Sequence, residues 1–206
     1  MSTTNLIVAG VGGQGVILAT EILGNAAIKE NFDVVISEIH GLAQRGGAVF
    51  SHVRIGHKVY SPTVVEGLAD AILGFEPVEV LRSLRYASDR TRIVTSKRCV
   101  IPPSVSMGVA EYPSIEQIVE MYRRFTQHIT LIDAFRLAAE AGSARTQNIV
   151  LVGALAATRM LPLKNDTFKA CIQERVPRKY LEANLKAFDL GYAEASRFSF
   201  YTLREA

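Results

Sequence analysis

The sequence predicts a single doubly wound α/β domain on one mostly parallel sheet, with a Rossmann-like start, one β-hairpin insertion and a helical C-terminal third. Two observations predict it: short apolar, β-branched runs bounded by glycine or polar residues, and segments of helical spacing between them. No linker-like stretch divides the 206 residues, and roughly 150 residues is typical of one domain. We therefore treat residues 1–206 as one domain.

The N-terminal third begins with a strand, a glycine turn, a helix and a second strand. Residues 6–9 are an apolar run that ends at glycine, which is typical of a buried parallel strand. Residues 16–29 carry apolar side chains at helical spacing and predict a helix with one buried face. Residues 33–39 form the second apolar run. Together these segments predict a right-handed βαβ unit.

Four further runs complete the predicted sheet. Residues 48–55 alternate in polarity, and the Gly56-His57 pair that follows predicts a hairpin turn into residues 58–60. The other three runs are short and apolar, and they lie at residues 69–74, 92–96 and 129–133. These runs place the hairpin insertion at residues 48–60.

The helices between these strands have recognisable ends. Residues 76–87 predict one helix. Residues 114–127 predict another, since Ser114 and Gln117 have the spacing of a capping box.

The C-terminal third is helical throughout. Residues 147–160 are almost wholly apolar and predict a buried helix that ends before Pro162. Asp166 or Thr167 can cap the next helix, and Pro177 suits the first turn of the last one.

Composition excludes several classes of protein. Hydrophobic residues make up 49% and charged residues 21% of the chain, as in folded domains rather than disordered or collagen-like chains. A net charge of +3 does not predict nucleic-acid binding. No apolar run is long enough to span a membrane, and residues 1–5 lack the basic region of a secretion signal, so we expect a cytoplasmic protein. The two cysteines, Cys99 and Cys171, are too few and too far apart for a zinc site or an iron–sulfur cluster.

The first candidate site is the glycine loop, residues 10–15, with the sequence GVGGQG. This G-x-G-x-x-G follows a predicted strand and opens a helix, where free amides and the helix dipole favour a phosphate or carboxylate. Glu38 ends the second strand, where dinucleotide enzymes place an acid that binds ribose. The alternative is that the glycines only let the helix pack on the sheet. The candidate residues of the loop are Gly10, Gly12, Gly13, Gln14 and Gly15.

The second candidate site is the second loop, residues 40–47, with the sequence HGLAQRGG. It leaves the second strand at the carboxyl edge of the sheet, where open α/β sheets bind ligands, so we expect it beside the glycine loop. It can hold an anionic ligand or dock a partner, with an ordinary surface loop as the alternative. Arg45 is the best charge partner for an anion. The candidate residues of this loop are His40, Gln44, Arg45, Gly46 and Gly47.

Other polar residues carry weaker signals. His52, His57 and His128 have no serine–carboxylate pattern around them, so we expect packed or exposed histidines rather than catalytic ones. The basic stretch at residues 82–98 predicts a solvated face, with docking of an acidic partner as the alternative. Asp133, at the end of a strand, can cap the following helix or touch a ligand.

The two loops together resemble the gamma domain of the 2-oxoacid:ferredoxin oxidoreductases. The segments that carry the resemblance are GVGGQGV and SEIHGLAQRGGAVFSHVRIG, and the form HG-x-A-QRGG is most similar to the smaller subunit of the indolepyruvate type. Supporting segments are residues 60–62, 69–77 and 181–184 with Pro177. The resemblance covers essentially the whole chain.

The resemblance implies an accessory subunit that is inactive alone. The complete enzyme would decarboxylate indolepyruvate or a related aryl 2-oxoacid oxidatively to acyl-coenzyme A and pass electrons to ferredoxin. Thiamine diphosphate, magnesium and 4Fe-4S clusters would lie on a larger partner subunit, and this chain would hold no cofactor alone. This chain would complete the enzyme by covering the site or by helping to position coenzyme A at the subunit interface, with the two loops and Glu38 as the cofactor-binding candidates. The isolated chain could form a homodimer. The alternatives are a stand-alone NAD(P)-binding Rossmann oxidoreductase and a pure scaffold subunit whose glycine loops only pack.

Overall fold

The computed structural model describes residues 3–41 and 46–202, and the strands of this part of the chain form one sheet. The strands are β1 (Thr4–Val11), β2 (Asp33–His40), β3 (Ala48–Gly56), β4 (Ala71–Gly74), β5 (Arg92–Ser96) and β6 (Ile129–Ile132). Their order is β2-β3-β1-β4-β5-β6. The neighbours among β1, β4, β5 and β6 pair in parallel, whereas β3 is antiparallel to both β1 and β2.

The helices of the described residues lie on both faces of this sheet. They are α1 (Val16–Lys29), α2 (Pro77–Ser83), α3 (Pro103–Ser106), α4 (Ile115–Arg123), α5 (Ala134–Glu140), α6 (Gln147–Ala157), α7 (Asn165–Arg175) and α8 (Leu181–Thr202). Short 3-10 turns at Leu84–Tyr86, Ala144–Thr146 and Arg178–Tyr180 adjoin α2, α6 and α8. No helix in the described ranges combines the length and hydropathy needed to cross a membrane.

Two hydrophobic cores sandwich the sheet, because successive side chains of a strand point to opposite faces. Leu6 and Val8 of β1 pack in the larger core with α1 and the C-terminal helices. Ile7 lies between them in sequence and packs in the smaller core with α2 and α4. The apolar run that predicted β1 is therefore buried on both faces.

The predicted fold class is confirmed, and so are the predicted helix at residues 16–29 and the capping box of Ser114 with Gln117. The predicted hairpin at residues 48–60 is wrong. Residues 58–60 form no strand, and β3 pairs instead with β2, so the second loop is the hairpin connection. β3 also pairs with β1, which places it between the two strands of the predicted βαβ unit.

The predicted caps of the C-terminal helices need two corrections. Helix α7 begins at Asn165, with Lys164 in the N-cap position and no side-chain cap, so neither Asp166 nor Thr167 caps it. Pro177 precedes a 3-10 turn, and the last helix begins only at Leu181.

Helices α6 and α8 cross at very close range in the larger core. A Cβ atom on Gly153 would overlap the backbone carbonyl of Phe188, and one on Gly191 would overlap the backbone carbonyl of Val150. Each helix thus contributes a glycine at the point where it touches the backbone of the other. This reciprocal contact fixes α8 against the sheet-facing helix α6.

We predict that Gly191→Ala lowers the free energy of unfolding by about 2 kcal/mol, because the two helices must separate to admit the methyl group. The matched control is Gly24→Ala in α1, where the new Cβ meets only the terminal methyl of Ile36. Alanine has a higher helix propensity than glycine by about 1 kcal/mol, so the free energy of unfolding of that variant should equal or exceed that of the parent protein. Urea titration of both variants measures the difference, and equal stabilities would contradict the close-crossing interpretation.

Candidate functional site

The glycine loop and the second loop meet at the carboxyl edge of the sheet, as expected from their places in the sequence. The Gly12 amide donates to the Gly47 carbonyl at 2.8 Å, and the Gly46 amide donates to the Gly12 carbonyl at 3.4 Å. At the base of the second loop, the Gly41 amide donates to the Ala48 carbonyl at 2.8 Å. Backbone hydrogen bonds therefore fix both ends of the second loop. Gln44 and Arg45 lie outside the described residues.

Gln14 holds the glycine loop in shape. Its side-chain Oε1 accepts from the Val11 amide at 2.8 Å, and its Nε2 donates to the Phe75 carbonyl at 3.0 Å. Val11 ends β1 and Phe75 follows β4, so one amide side chain connects two neighbouring strands at their carboxyl ends. The interactions of Gln14 are thus with the protein's own backbone.

The glycines of the loop have different roles. A Cβ on Gly10 would overlap Phe75 and Val16, so Gly10 lets β1 pack against its neighbours. Gly13 has a φ of +96° and open space around its Cα. Gly15 has a φ of +78° and occupies the N-cap of α1, which has no side-chain cap.

The open end of α1 is the strongest anion-binding feature at this edge. The first amides of a helix lack intrahelical acceptors, and the helix dipole adds partial positive charge there. Asn148 borders this point, with its Nδ2 donating to the Gly15 carbonyl at 3.4 Å. Lys97 and Arg98 follow β5 at the same edge and are exposed. The end of α1 can hold a phosphate or carboxylate, whereas Lys97 and Arg98 lie two strands away from β1 along this edge.

Glu38 does not occupy the ribose-binding position of a dinucleotide enzyme. In that fold the acid ends the strand beside β1, whereas here β3 separates β2 from β1. Two strand spacings, about 10 Å, therefore lie between the two strands. Glu38 accepts a hydrogen bond from the Thr20 hydroxyl of α1 at 3.1 Å. His40 is the last residue of β2 and pairs with Val49.

Sequence reasoning missed a buried carboxylate, Glu76, at the carboxyl end of β4. Its side chain is 2% exposed and accepts from the Glu79 amide at 3.0 Å, the Val100 amide at 3.3 Å and the Tyr112 hydroxyl. Burial and the neighbouring carboxylate raise the pKa of Tyr112 far above its ordinary value. Glu76 thus caps α2 and ties residues 97–113 to the sheet. The available signal was a glutamate directly after a strand and before a proline, an N-cap pattern.

Two other sequence candidates, Asp133 and His52, have structural roles. Asp133 caps α5 by accepting from the Arg136 amide at 3.1 Å. His52 is buried beside Phe50 and Tyr86, and its Nδ1 accepts from the Val64 amide at 3.1 Å. Burial, with a smaller contribution from a nearby arginine, lowers the pKa of His52. The expectation of a packed histidine is confirmed at this position.

The basic stretch at residues 82–98 does not form one face. Arg92 begins β5 and Ser96 ends it, so Arg92 lies at the amino edge of the sheet and Lys97 at the carboxyl edge. Arg82 pairs with Glu79 on α2. The described residues contain no group of three or more histidines, cysteines or carboxylates placed to hold a metal ion. The carboxyl edge is where the described ends of the two candidate loops meet.

The fold and this edge define the class of protein, and comparisons identify its family. A curated relative, the indolepyruvate oxidoreductase subunit IorB of Pyrococcus horikoshii, is 44% identical over 196 residues, which cover 95% of this chain and 97% of the relative. The crystal structure of the keto/oxoacid ferredoxin oxidoreductase gamma subunit of Geobacter sulfurreducens matches with a TM-score of 0.67 at 26% identity, covering 93% of this chain and 98% of that one.

A second solved structure contains the same fold as part of a longer chain. The 2-oxoglutarate:ferredoxin oxidoreductase of Magnetococcus marinus, solved with 2-oxoglutarate, coenzyme A and succinyl-CoA, matches with a TM-score of 0.73 at 21% identity. The match covers 96% of this chain but 32% of that one.

The model of the pyruvate ferredoxin/flavodoxin oxidoreductase family matches residues 5–194. The chain belongs to this family, and it is of the gamma-subunit type. The family resemblance given by the two loops is thereby confirmed.

We predict that Tyr112→Phe loosens residues 97–113, because only the hydroxyl that donates to Glu76 is removed. The free energy of unfolding should fall by about 1–2 kcal/mol, and amide hydrogen exchange in this segment should accelerate. The matched control is Tyr60→Phe, since Tyr60 is 88% exposed. Unchanged exchange in the Tyr112 variant would show that the segment is held by other contacts.

Proposed function

We propose that this chain is the smaller, accessory subunit of an indolepyruvate-type 2-oxoacid:ferredoxin oxidoreductase. The complete enzyme would decarboxylate indolepyruvate or a related aryl 2-oxoacid oxidatively to the acyl-coenzyme A and pass the electrons to ferredoxin. The observation that carries this proposal is the 44% identity with an IorB subunit over nearly the full length of both chains. The paired loops support it, because their sequences carry the resemblance to this type.

The redox and thiamine chemistry is assigned in this proposal to a larger partner subunit in the cytoplasm. A 4Fe-4S cluster is usually held by four cysteines, and this chain has two, of which Cys171 is fully buried. The clusters would therefore lie on the partner, and we assign thiamine diphosphate and its magnesium ion to the same subunit. This chain alone would be inactive, and its partner-facing surface could form a homodimer in isolation.

The role proposed for this chain is to help position coenzyme A at the subunit interface. Coenzyme A carries phosphate groups, and the carboxyl edge offers the open N-terminus of α1 beside a glycine with free space around it. We assign phosphate contacts to the backbone of Gly13 and Gly15 and to Arg45, since the Gly12 and Gln14 amides donate to the Gly47 and Val11 carbonyls. Gln14 and Gly10 would act indirectly, because their contacts hold the loop in place.

The alternative of a stand-alone NAD(P)-binding oxidoreductase has one favourable observation, the G-x-G-x-x-G that opens α1. The antiparallel β3 weakens it, since the strand beside β1 is not the one that carries Glu38. The scaffold alternative is favoured by Gly10 and Gln14, whose roles are in packing and loop shape.

We predict that a larger brown subunit co-purifies with the tagged chain when the chain is isolated anaerobically from its native host. The complex should reduce a redox dye only with both indolepyruvate and coenzyme A, and the separated small subunit should be inactive. The measurements are the visible spectrum and the dye-reduction rate with each substrate omitted in turn. A colourless chain that binds NAD(P) tightly and lacks a partner would overturn the proposal and support the dehydrogenase.

We predict that Gly13→Ala raises the KM of the reconstituted complex for coenzyme A at least about tenfold. Alanine keeps the amide, but its methyl group fills the open space that a phosphate would enter and the positive φ becomes strained, so one or two phosphate hydrogen bonds would be lost. The matched control is Gly67→Ala, since Gly67 also has positive φ and open space but hydrogen-bonds Arg85 away from this edge. Arg45→Ala should act in the same direction as Gly13→Ala. Normal coenzyme A kinetics in both loop variants would favour the scaffold alternative.

A further inference from the structure

A cavity lies at the amino edge of the sheet, away from the carboxyl edge that the proposed function uses. Its volume is about 490 Å³, within the range of small-molecule sites. It is bounded by the start of β5 at Arg92, the residues that lead into β6, the turn after α6 and one face of α8. β5 has five residues, so the strand alone separates this cavity from the carboxyl edge by about 13 Å.

Two arginines and a histidine are among the side chains that line this cavity. Arg92, His128 and Arg159 lie on its wall, and no aspartate or glutamate is among its described lining residues. The Arg92 guanidinium donates to the Thr158 carbonyl at 3.0 Å, which anchors it at the wall. A guanidinium has five N–H donors, so this contact leaves others for a ligand.

The backbone at Arg159 is an unusual place for an arginine. It follows the last turn of α6 with a φ of 55°, the left-handed region. Glycine or asparagine ordinarily occupies this position after a helix, and the conformation costs other residues roughly 1–2 kcal/mol. Helix termination therefore does not explain an arginine here, whereas a cationic cavity wall does.

The rest of the lining combines polar side chains, such as Gln127 and Ser196, with apolar ones. Met160, Tyr192 and Phe198 contribute large side chains, while Ala157 and Ala195 leave the space between them. We propose that this cavity binds a small organic anion with an oxyanion head and an apolar, ring-sized body. The head lies against Arg92, His128 and Arg159, and the body packs on Met160 and Tyr192. The site is independent of the carboxyl edge.

The test uses the full chain and three probes. Phenyl phosphate and benzoate share an aromatic body and differ in their oxyanion, whereas inorganic phosphate lacks the body. We expect saturable binding of at least one aromatic probe by calorimetry, with inorganic phosphate at least about tenfold weaker. The better aromatic probe distinguishes a phosphorylated from a carboxylated ligand. Amide NMR shifts should be confined to Arg92 and to residues 127–130, 157–160 and 192–198.

The deciding variant is Arg159→Asn, because asparagine tolerates the left-handed backbone while the charge is lost. We expect its dissociation constant for the better aromatic probe to rise at least about tenfold. The matched control is Arg178→Asn, an exposed arginine near the opposite end of α8, which should bind like the parent chain. The proposal is overturned if neither aromatic probe saturates, if the shifts map to the glycine loop, or if both variants bind equally.

Discussion

Strand β3 is hydrogen-bonded along its whole length to β1 on one side and β2 on the other, and the geometry of the candidate site depends on this double pairing. It requires the chain to reverse between β2 and β3, so both ends of the second loop lie at the carboxyl edge. The same pairing brings Ala48 opposite Val11, which seats the second loop on the glycine loop. The two motifs are therefore parts of one surface.

One part of the glycine loop packs against the sheet, and the other part is exposed. Gly10 and Gln14 face inward and connect β1 with the residues after β4, while Gly13 and the start of α1 face outward. A rigid inner half supports an accessible outer half, which suits a loop that holds a ligand for another subunit. Glu76, after β4, holds residues 97–113 in place, because its buried carboxylate accepts three hydrogen bonds.

Local patterns predicted the parts of the fold that local chemistry determines. Helical spacing gave α1 its bounds, Ser114 and Gln117 gave the start of α4, and the adjacency of the two loops followed from the strand ends. The place of β3 was not predictable, because alternating residues suit a separate hairpin and a strand inside the sheet equally well. Glu76 was missed because its donors at residues 100 and 112 are remote in sequence. The basic stretch was predicted to form one solvated face, but β5 runs through it and places Arg92 and Lys97 at opposite edges of the sheet.

The order of the strands also governs how the chain can acquire its fold during synthesis. β1 leaves the ribosome early, yet its neighbours are β3 and β4, which are complete only at residues 56 and 74. Until then both edges of its apolar run are unpaired, a state that invites association with other nascent chains. Helix α1 can shield one face of β1 meanwhile, but it cannot satisfy the backbone groups along the edges. The strand order therefore leaves the edges of β1 without partners until more than a third of the chain has been made.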